Sequence, residues 1–313
     1  MPPLLLLSSA SYAERSDRPV VAIGNFDGVH LGHQSMLAEA LRQANDLGRP
    51  TLVYTFDPPP AVVLRPGTHY PRILPLEDRV RLLAEFGVDQ VCIEPFSYAF
   101  AQHPAKWFAQ EILQRRFNPA AIVVGYDFRF GQNRHGDFEL LKTVLPSVTV
   151  SQVSAFEKDG EVVSSSRIRR LVSDGKVRAA SAMLSRRHTV RGTVVTGDQR
   201  GRELGFPTAN LATPAELLPA PGVYVVEGCV DRRHRYGGVA NLGVRPTFSG
   251  NELQIEIHLF DLQPKDQDLY GRELEVEFVE KLRDEKRFAN ADQLRHQIAS
   301  DAADARAMLL RAR

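Results

Sequence analysis

Hydrophobic and polar positions follow two different regimes along this chain. Up to about residue 185, short apolar runs alternate with stretches of helical period. Residues 20–23, 51–56, 88–93, 121–125 and 148–153 read as buried strands. Residues 34–47, 77–86 and 104–116 read as helices, the last with proline in its first turn. β-Branched runs separated by helices predict a parallel sheet covered on both faces, with ligands at the carboxyl ends of its strands. After Ser185-Arg186-Arg187 the pattern changes. Segments 191–196, 223–230, 238–242, 253–260 and 273–278 are short, alternating and punctuated by Gly and Pro, which predicts a small antiparallel barrel. A closing helix is expected after Asn290 as N-cap, with Gln293 three positions on and Leu294, Ile298, Ala305 and Leu309 on one stripe. Two domains follow from this, residues 1–185 and 186–313.

Composition removes several classes of function. The net charge is +1 and the Arg-Arg pairs are scattered, so no nucleic-acid footprint is present. Cys92 and Cys229 both lie in apolar, strand-like surroundings, which predicts neither a disulfide framework nor a zinc site and fits a reducing cytoplasm. The run Leu4–Leu7 is short and lacks a basic start, so an ordered or frayed N-terminal segment is expected rather than a signal peptide. No run approaches the roughly 18 apolar residues of a membrane span. A soluble cytoplasmic protein is expected, with no membrane or protein partner.

The chemistry concentrates at predicted strand ends. Gly24-Asn25-Phe26-Asp27-Gly28-Val29-His30-Leu31-Gly32-His33 joins a strand to a helix. Glycines let backbone N–H groups approach an anion, the helix start adds partial positive charge, and His30 and His33 can donate to charge developing on phosphate oxygens. Thr55-Phe56-Asp57-Pro58-Pro59 is a rigid turn in which Asp57 can orient a ligand. The loop from Gly125 to Asp137, with Tyr126, Asp127, Arg129 and Arg134, can stack on a ring and neutralise phosphates. Ser164-Ser165-Ser166 opens a helix with an anion cradle, and Arg169 lies one turn along. Plainer readings stand beside each: a strand-to-helix connection, an N-cap, solvated arginines.

In the second half, Thr208 and Asn210 of Gly205-Phe206-Pro207-Thr208-Ala209-Asn210 are two apart and share a face on an extended chain. Their hydroxyl and amide oxygens suit a Mg²⁺ carrying ATP phosphates, under a glycine flap that includes Gly197. In Gln254–Phe260, Ile255, Ile257 and Leu259 face a core while Glu256 and His258 share the other side. Glu256 could take a proton from a substrate hydroxyl, or simply face solvent. Residues 241–248 read as a tight polar turn.

The His-x-Gly-His element is similar to that of the nucleotidyltransferase superfamily. Together with FDPPP, GYDFRFGQNRHGD, SSSRIR, GRELGFPTANL, VANLGVRPTF, DLYGRELEVEF and LRDEKRF, it makes nearly the whole chain resemble the bacterial bifunctional riboflavin kinase/FMN adenylyltransferases. That resemblance implies a Rossmann-like adenylyltransferase domain and a six-stranded Greek-key kinase barrel. It implies ATP, riboflavin and FMN as substrates, Mg²⁺ with the nucleotide, and FMN and FAD as products rather than prosthetic groups. By position, Gly24, Asn25, Phe26, Asp27, Ser164, Ser165 and Arg169 would line the first ATP site around His30 and His33. Asp57, Asp127 and Arg129 would lie on its flavin side. Gly197, Gly205, Thr208 and Asn210 would hold the kinase nucleotide, with Thr208 and Asn210 on the metal and Glu256 as general base. Leu31 stands where that family often has a basic residue, Pro59 where it often has a polar one, and Ser166 where threonine is usual. Two rivals remain at this stage: a transferase for another small phosphate ester with an accessory barrel, and a flavin sensor without turnover.

Overall fold

Strand β2 (Val20–Ile23) is fully buried at the centre of a six-stranded sheet, because every one of its residues is apolar and both its faces are covered. The computed structural model describes residues 3–12, 17–197, 205–247 and 250–311. The sheet contains β1 (Leu4–Leu6), β2, β3 (Thr51–Phe56), β4 (Gln90–Glu94), β5 (Ala121–Gly125) and β6 (Thr149–Val153) in the order β1-β4-β3-β2-β5-β6. All of its pairings are parallel. Alternate residues of β2 feed two cores. Val20 and Ala22 pack with Met36, Leu37 and Ala40 of the helix Leu31–Leu47, while Val21 and Ile23 pack with Ile112 and Leu113 of the π-wound helix Phe108–Phe117. From β2 the chain builds outward through β3 and β4 on one side, then returns to place β5 and β6 on the other. The order therefore reverses between β2 and β5, the position at which open parallel sheets take their ligands.

The expected strands and helices of this half are present within a few residues. The N-terminal run is ordered: Leu4–Leu6 pairs with Gln90, Val91 and Cys92 as the sheet's edge strand. Nearby Tyr12 is fully buried, edge-on to Phe117 at 5.2 Å. A small hairpin, β7 (Glu157–Lys158) with β8 (Glu161–Val162), carries too little apolar pattern to be foreseen.

The second unit is a closed barrel of β9 (His188–Val195), β10 (Ala209–Ala212), β11 (Gly222–Val230), β12 (His234–Thr247), β13 (Gly250–Leu259) and β14 (Glu273–Arg283). Their order around it is β10-β13-β12-β11-β14-β9, all antiparallel. The expected turn at 241–248 is corrected here: residues 241–247 continue β12 and pair with β13 as far as Thr247 opposite Gly250. Closing the barrel requires that long hairpin, so strand pairing overrides the turn-like Gly and Pro. Phe248 lies outside the described residues. Strand β10, too short to show a period, was not among the expected strands.

The helix Ala291–Arg311 lies against the barrel, with Ala305 and Leu309 packed on Val225 and Phe260. Asn290 caps it as expected: its Oδ1 accepts from Gln293 N at 2.9 Å, while Ala289 N donates to Gln293 Oε1 at 3.2 Å. Asp301, 5% exposed, accepts the Arg283 guanidinium at 2.7 Å and ties the helix to β14. The chain separates into the compact units Met1–Ser165 and Ser166–Arg313, so the helices Ser165–Ser173 and Val177–Leu184 group with the barrel. Cys92 and Cys229 are both buried and unbridged, and burial pushes the Cys92 thiol well above its ordinary range.

Candidate active sites

In the first unit, the loop after β2 is held in a shape that few sequences can adopt. Phe26 (φ 49°), Gly28 (φ 87°) and Val29 (φ 40°) all lie in the left-handed region. Burial of Phe26 and Val29 in the core compensates the strain at those two. Gly28 has no alternative, since a Cβ there would also come 2.9 Å from Ile73 Cδ1. Polar contacts stitch the loop to its neighbours. Asp27, 2% exposed, accepts from Ile73 N at 3.0 Å and Leu74 N at 3.4 Å, and its carbonyl accepts from Ser165 Oγ at 2.8 Å. Asn25 O accepts from Thr55 Oγ1 at 3.1 Å and Arg79 Nη1 at 2.8 Å. Asp27 therefore fixes the shape of this loop through its anchoring contacts, and the Phe26 ring is buried in the core.

His30 ends the loop as N-cap of the helix Leu31–Leu47, its Nδ1 accepting from His33 N at 3.3 Å. With Nδ1 an acceptor, the neutral ring carries its proton on Nε2 and can donate there. The two imidazoles stack at 3.6 Å between centroids, and His33 also leans on Phe26 at 5.2 Å. Two ring donors and a helix start thus converge beside the switch point of the sheet.

The other first-half residues differ in how closely they join this loop. Ser165 reaches it directly through Asp27 O. Ser164 precedes it, and Arg169, 9% exposed, follows within the helix Ser165–Ser173 that groups with the second unit. Asp57 is engaged by Arg72 at 3.2 Å and Arg79 at 3.8 Å. Asp127 and Arg129 are exposed after β5, and Arg129 pairs with Asp137 at 2.8 Å rather than standing free for phosphate. Between these loops runs an aromatic wall: Phe56, Phe96, Phe100, Phe108 and Phe130 touch in sequence at 5.3 to 6.3 Å.

Arg79 is the residue that sequence reasoning missed. Its side chain, 3% exposed, bridges Asn25 O at 2.8 Å and Phe56 O at 3.3 Å, joining the loops after β2 and β3. Burial lowers its pKa, opposed by the charges of Asp27 and Asp57. The available signal was an arginine sharing the helical stripe of Leu83 and Phe86.

In the barrel, register brings the predicted kinase residues together. Asn210 of β10 lies directly opposite Glu256 of β13. Ala209 and Leu211, like Ile255 and Ile257, are buried, so Asn210 and Glu256 project outward side by side. Thr208 precedes them and borders a cavity of about 760 Å³ whose lining mixes apolar residues such as Ile257, Leu259 and Leu269 with the polar Asp261, Gln267 and Asp268. His258 borders the same cavity and hydrogen-bonds Pro207 O at 2.9 Å, fixing the entry to β10. Gly197 presses so closely on Asn210 that a Cβ would come 2.0 Å from Nδ2. Gly205 and Phe206 border a second, smaller hollow with Arg295 and His296. Among the described residues, no group of three or more His, Cys, Asp or Glu could hold a metal by itself. The hydroxyl and amide oxygens of Thr208 and Asn210 are hard donors of the kind that hold Mg²⁺ together with nucleotide phosphates.

Two family models match the chain: FAD synthetase over residues 13–167 and riboflavin kinase over residues 184–309. A bifunctional riboflavin kinase/FMN adenylyltransferase of Escherichia coli K12 is 37% identical over 92% of this chain and 91% of its own. One from Pseudomonas fluorescens is 38% identical over 92% of both. A crystal structure described as a macrolide-efflux protein from Streptococcus pneumoniae superposes with a TM-score of 0.87 at 33% identity, over 96% of this chain and 97% of that one. Among the described residues, no helix is long and apolar enough to cross a membrane.

Proposed function

The chain belongs to the bifunctional riboflavin kinase/FMN adenylyltransferase family, and from that premise we propose how its residues divide the work. The enzyme carries two consecutive reactions, phosphorylating riboflavin to FMN with ATP and adenylylating FMN to FAD with a second ATP. The functional border lies near residue 185. The family matches support it, ending at 167 and resuming at 184, with two helices between.

In the kinase half, Glu256 accepts the proton of the riboflavin 5′-hydroxyl. The freed oxygen attacks the γ-phosphorus, and the bond to the bridging oxygen breaks to release ADP. Thr208 and Asn210 hold the phosphates one strand away, and the neighbouring cavity, whose walls are part apolar and part polar, takes the adenosine. These two residues would also hold Mg²⁺, which supplies neutralisation of phosphate charge when bound. The observation that supports this reading is the Asn210–Glu256 register pair, a carboxamide and a carboxylate opposite each other on adjacent strands.

In the adenylyltransferase half, an FMN phosphate oxygen attacks the α-phosphorus of ATP and pyrophosphate leaves. His30 and His33 stabilise the charge that grows there, with Gly24 to Asp27, Ser164, Ser165 and Arg169 shaping the nucleotide side. Asp57, Asp127, Arg129 and the aromatic wall serve the flavin side. The unbridged, buried cysteines support a cytoplasmic setting. Incubating the pure protein with riboflavin and Mg-ATP and separating the flavins by chromatography tests the whole scheme: FMN is expected first, then FAD. Absence of both FMN and FAD would overturn the barrel assignment, and FMN without FAD that of the first unit.

A further inference from the structure

The row of polar residues on the barrel does not stop at Glu256. Strands β10, β13 and β12 are consecutive neighbours, and Glu256 lies opposite Asn210 on one side and opposite Asn241 on the other. Opposed residues share one face of a sheet, with Cβ atoms about 5 Å apart. Ala240 and Leu242 are fully buried, so Asn241 projects outward with the other two. Among the described residues, neither Asn210 nor Asn241 has a side-chain hydrogen bond. A half-buried carboxamide on a rigid strand, with donor and acceptor both uncommitted, is suited to a polar ligand.

The order of the row says which ligand. In phosphoryl transfer the attacking and leaving oxygens lie roughly in line, and the base must reach the attacking hydroxyl. With phosphates on the β10 side and the base on β13, the chain that bears the hydroxyl approaches from β12. We propose that Asn241 is an acceptor-binding residue of the kinase site, whose carboxamide hydrogen-bonds the ribityl hydroxyls while the terminal one reaches Glu256. The next outward position on β12 is Gly243, where a Cβ would meet Glu285 Oε1 at 2.6 Å and Asn241 Nδ2 at 3.5 Å. The missing side chain leaves room for the Glu285 carboxylate over Gly243, an acceptor near the end of the row that matches the donors of a polyol. The inference rests on Glu256 being the base.

Its test uses the full chain and riboflavin itself. Asn241→Ala is expected to raise the KM for riboflavin at least about tenfold, the scale of one well-placed hydrogen-bonding group, while the KM for ATP moves less than about twofold. Riboflavin fluorescence quenching, read without ATP, should report a parallel loss of affinity, and Asn241→Ser should recover part of it. An unchanged riboflavin KM and Kd would overturn the inference. So would a lowered kcat with a displaced acid limb at constant riboflavin KM, which would mean that Asn241 acts on Glu256. Glu256→Gln is measured beside it: full kinase activity in that variant would remove the base, whereas failure at Asn241 alone leaves the base in place.

Discussion

His30 and His33 lie with their rings 3.6 Å apart and only 16° from parallel at the start of the helix Leu31–Leu47. The backbone N–H of His33 also donates to His30 Nδ1, so one imidazole holds the other while capping the helix. Their roles can therefore be separated. His33→Ala is expected to lower FAD formation about 100- to 1,000-fold, the scale for removing a transition-state donor, while FMN accumulates. His30→Ala should do the same and also cost about 1 kcal/mol of stability through the lost cap. Flavin chromatography with thermal melts distinguishes the two variants. Wild-type FAD output from His33→Ala would exclude that ring from the reaction.

On the barrel, Glu256→Gln keeps shape and loses basicity. Riboflavin phosphorylation should fall at least about 100-fold and supplied FMN should still be adenylylated. Loss of both activities would instead mean that the two sites are coupled.

Gly197 is a steric sentinel for Asn210. A methyl group there would come 2.0 Å from Asn210 Nδ2, so Gly197→Ala must displace the amide or the strand end. The kinase KM for ATP is expected to rise with little change in adenylylation. An unaltered KM would show that Asn210 is not needed where it stands.

Arg79 ties two strand-end loops with one guanidinium. Arg79→Met removes charge-assisted bonds to Asn25 O and Phe56 O, and is expected to cost about 1–3 kcal/mol in the first unit and to raise the KM for FMN adenylylation. Arg79→Lys, which can reach one carbonyl, should lie between. Denaturant melts and steady-state kinetics on supplied FMN read both effects.

His188 gives the barrel a pH dependence. It is 2% exposed at the start of β9, against Phe278 and Leu217 O, and burial pushes its pKa down to about 4. As pH falls, the unfolded chain, with an ordinary pKa of about 6.5, binds the proton first, so stability is complete above about pH 6.5 and declines towards pH 4. The loss over that window is of order 3 kcal/mol, since each tenfold difference in proton affinity between the two states is worth about 1.4 kcal/mol. Stability curves of His188→Phe and wild type should diverge there, and identical slopes would place the acid sensitivity elsewhere.

Local pattern was enough for much of this. Period-2 and period-3.6 signals depend on neighbours along the chain, so the parallel-sheet half, most barrel strands and the Asn290 cap could be read directly. The strand–turn–helix junction at Gly24–His33 was equally legible, because a glycine turn between strand and helix is a local device. Pattern failed where long-range pairing overrode it. Residues 241–247 look like a turn but are held extended by β13, and β10 is too short to show a period.

Residue order alone thus sufficed for the kind of fold and the kind of chemistry, since both are written in short-range periodicity and side-chain type. It could not say that Asn210, Glu256 and Asn241 form one row, or that Arg79 bridges two loops and Arg129 is tied to Asp137. Asn210 and Glu256, like Arg79 and Asn25, are far apart in the chain and meet only through barrel closure and the parallel crossovers, whereas Arg129 and Asp137, close in sequence, meet through the fold of one loop.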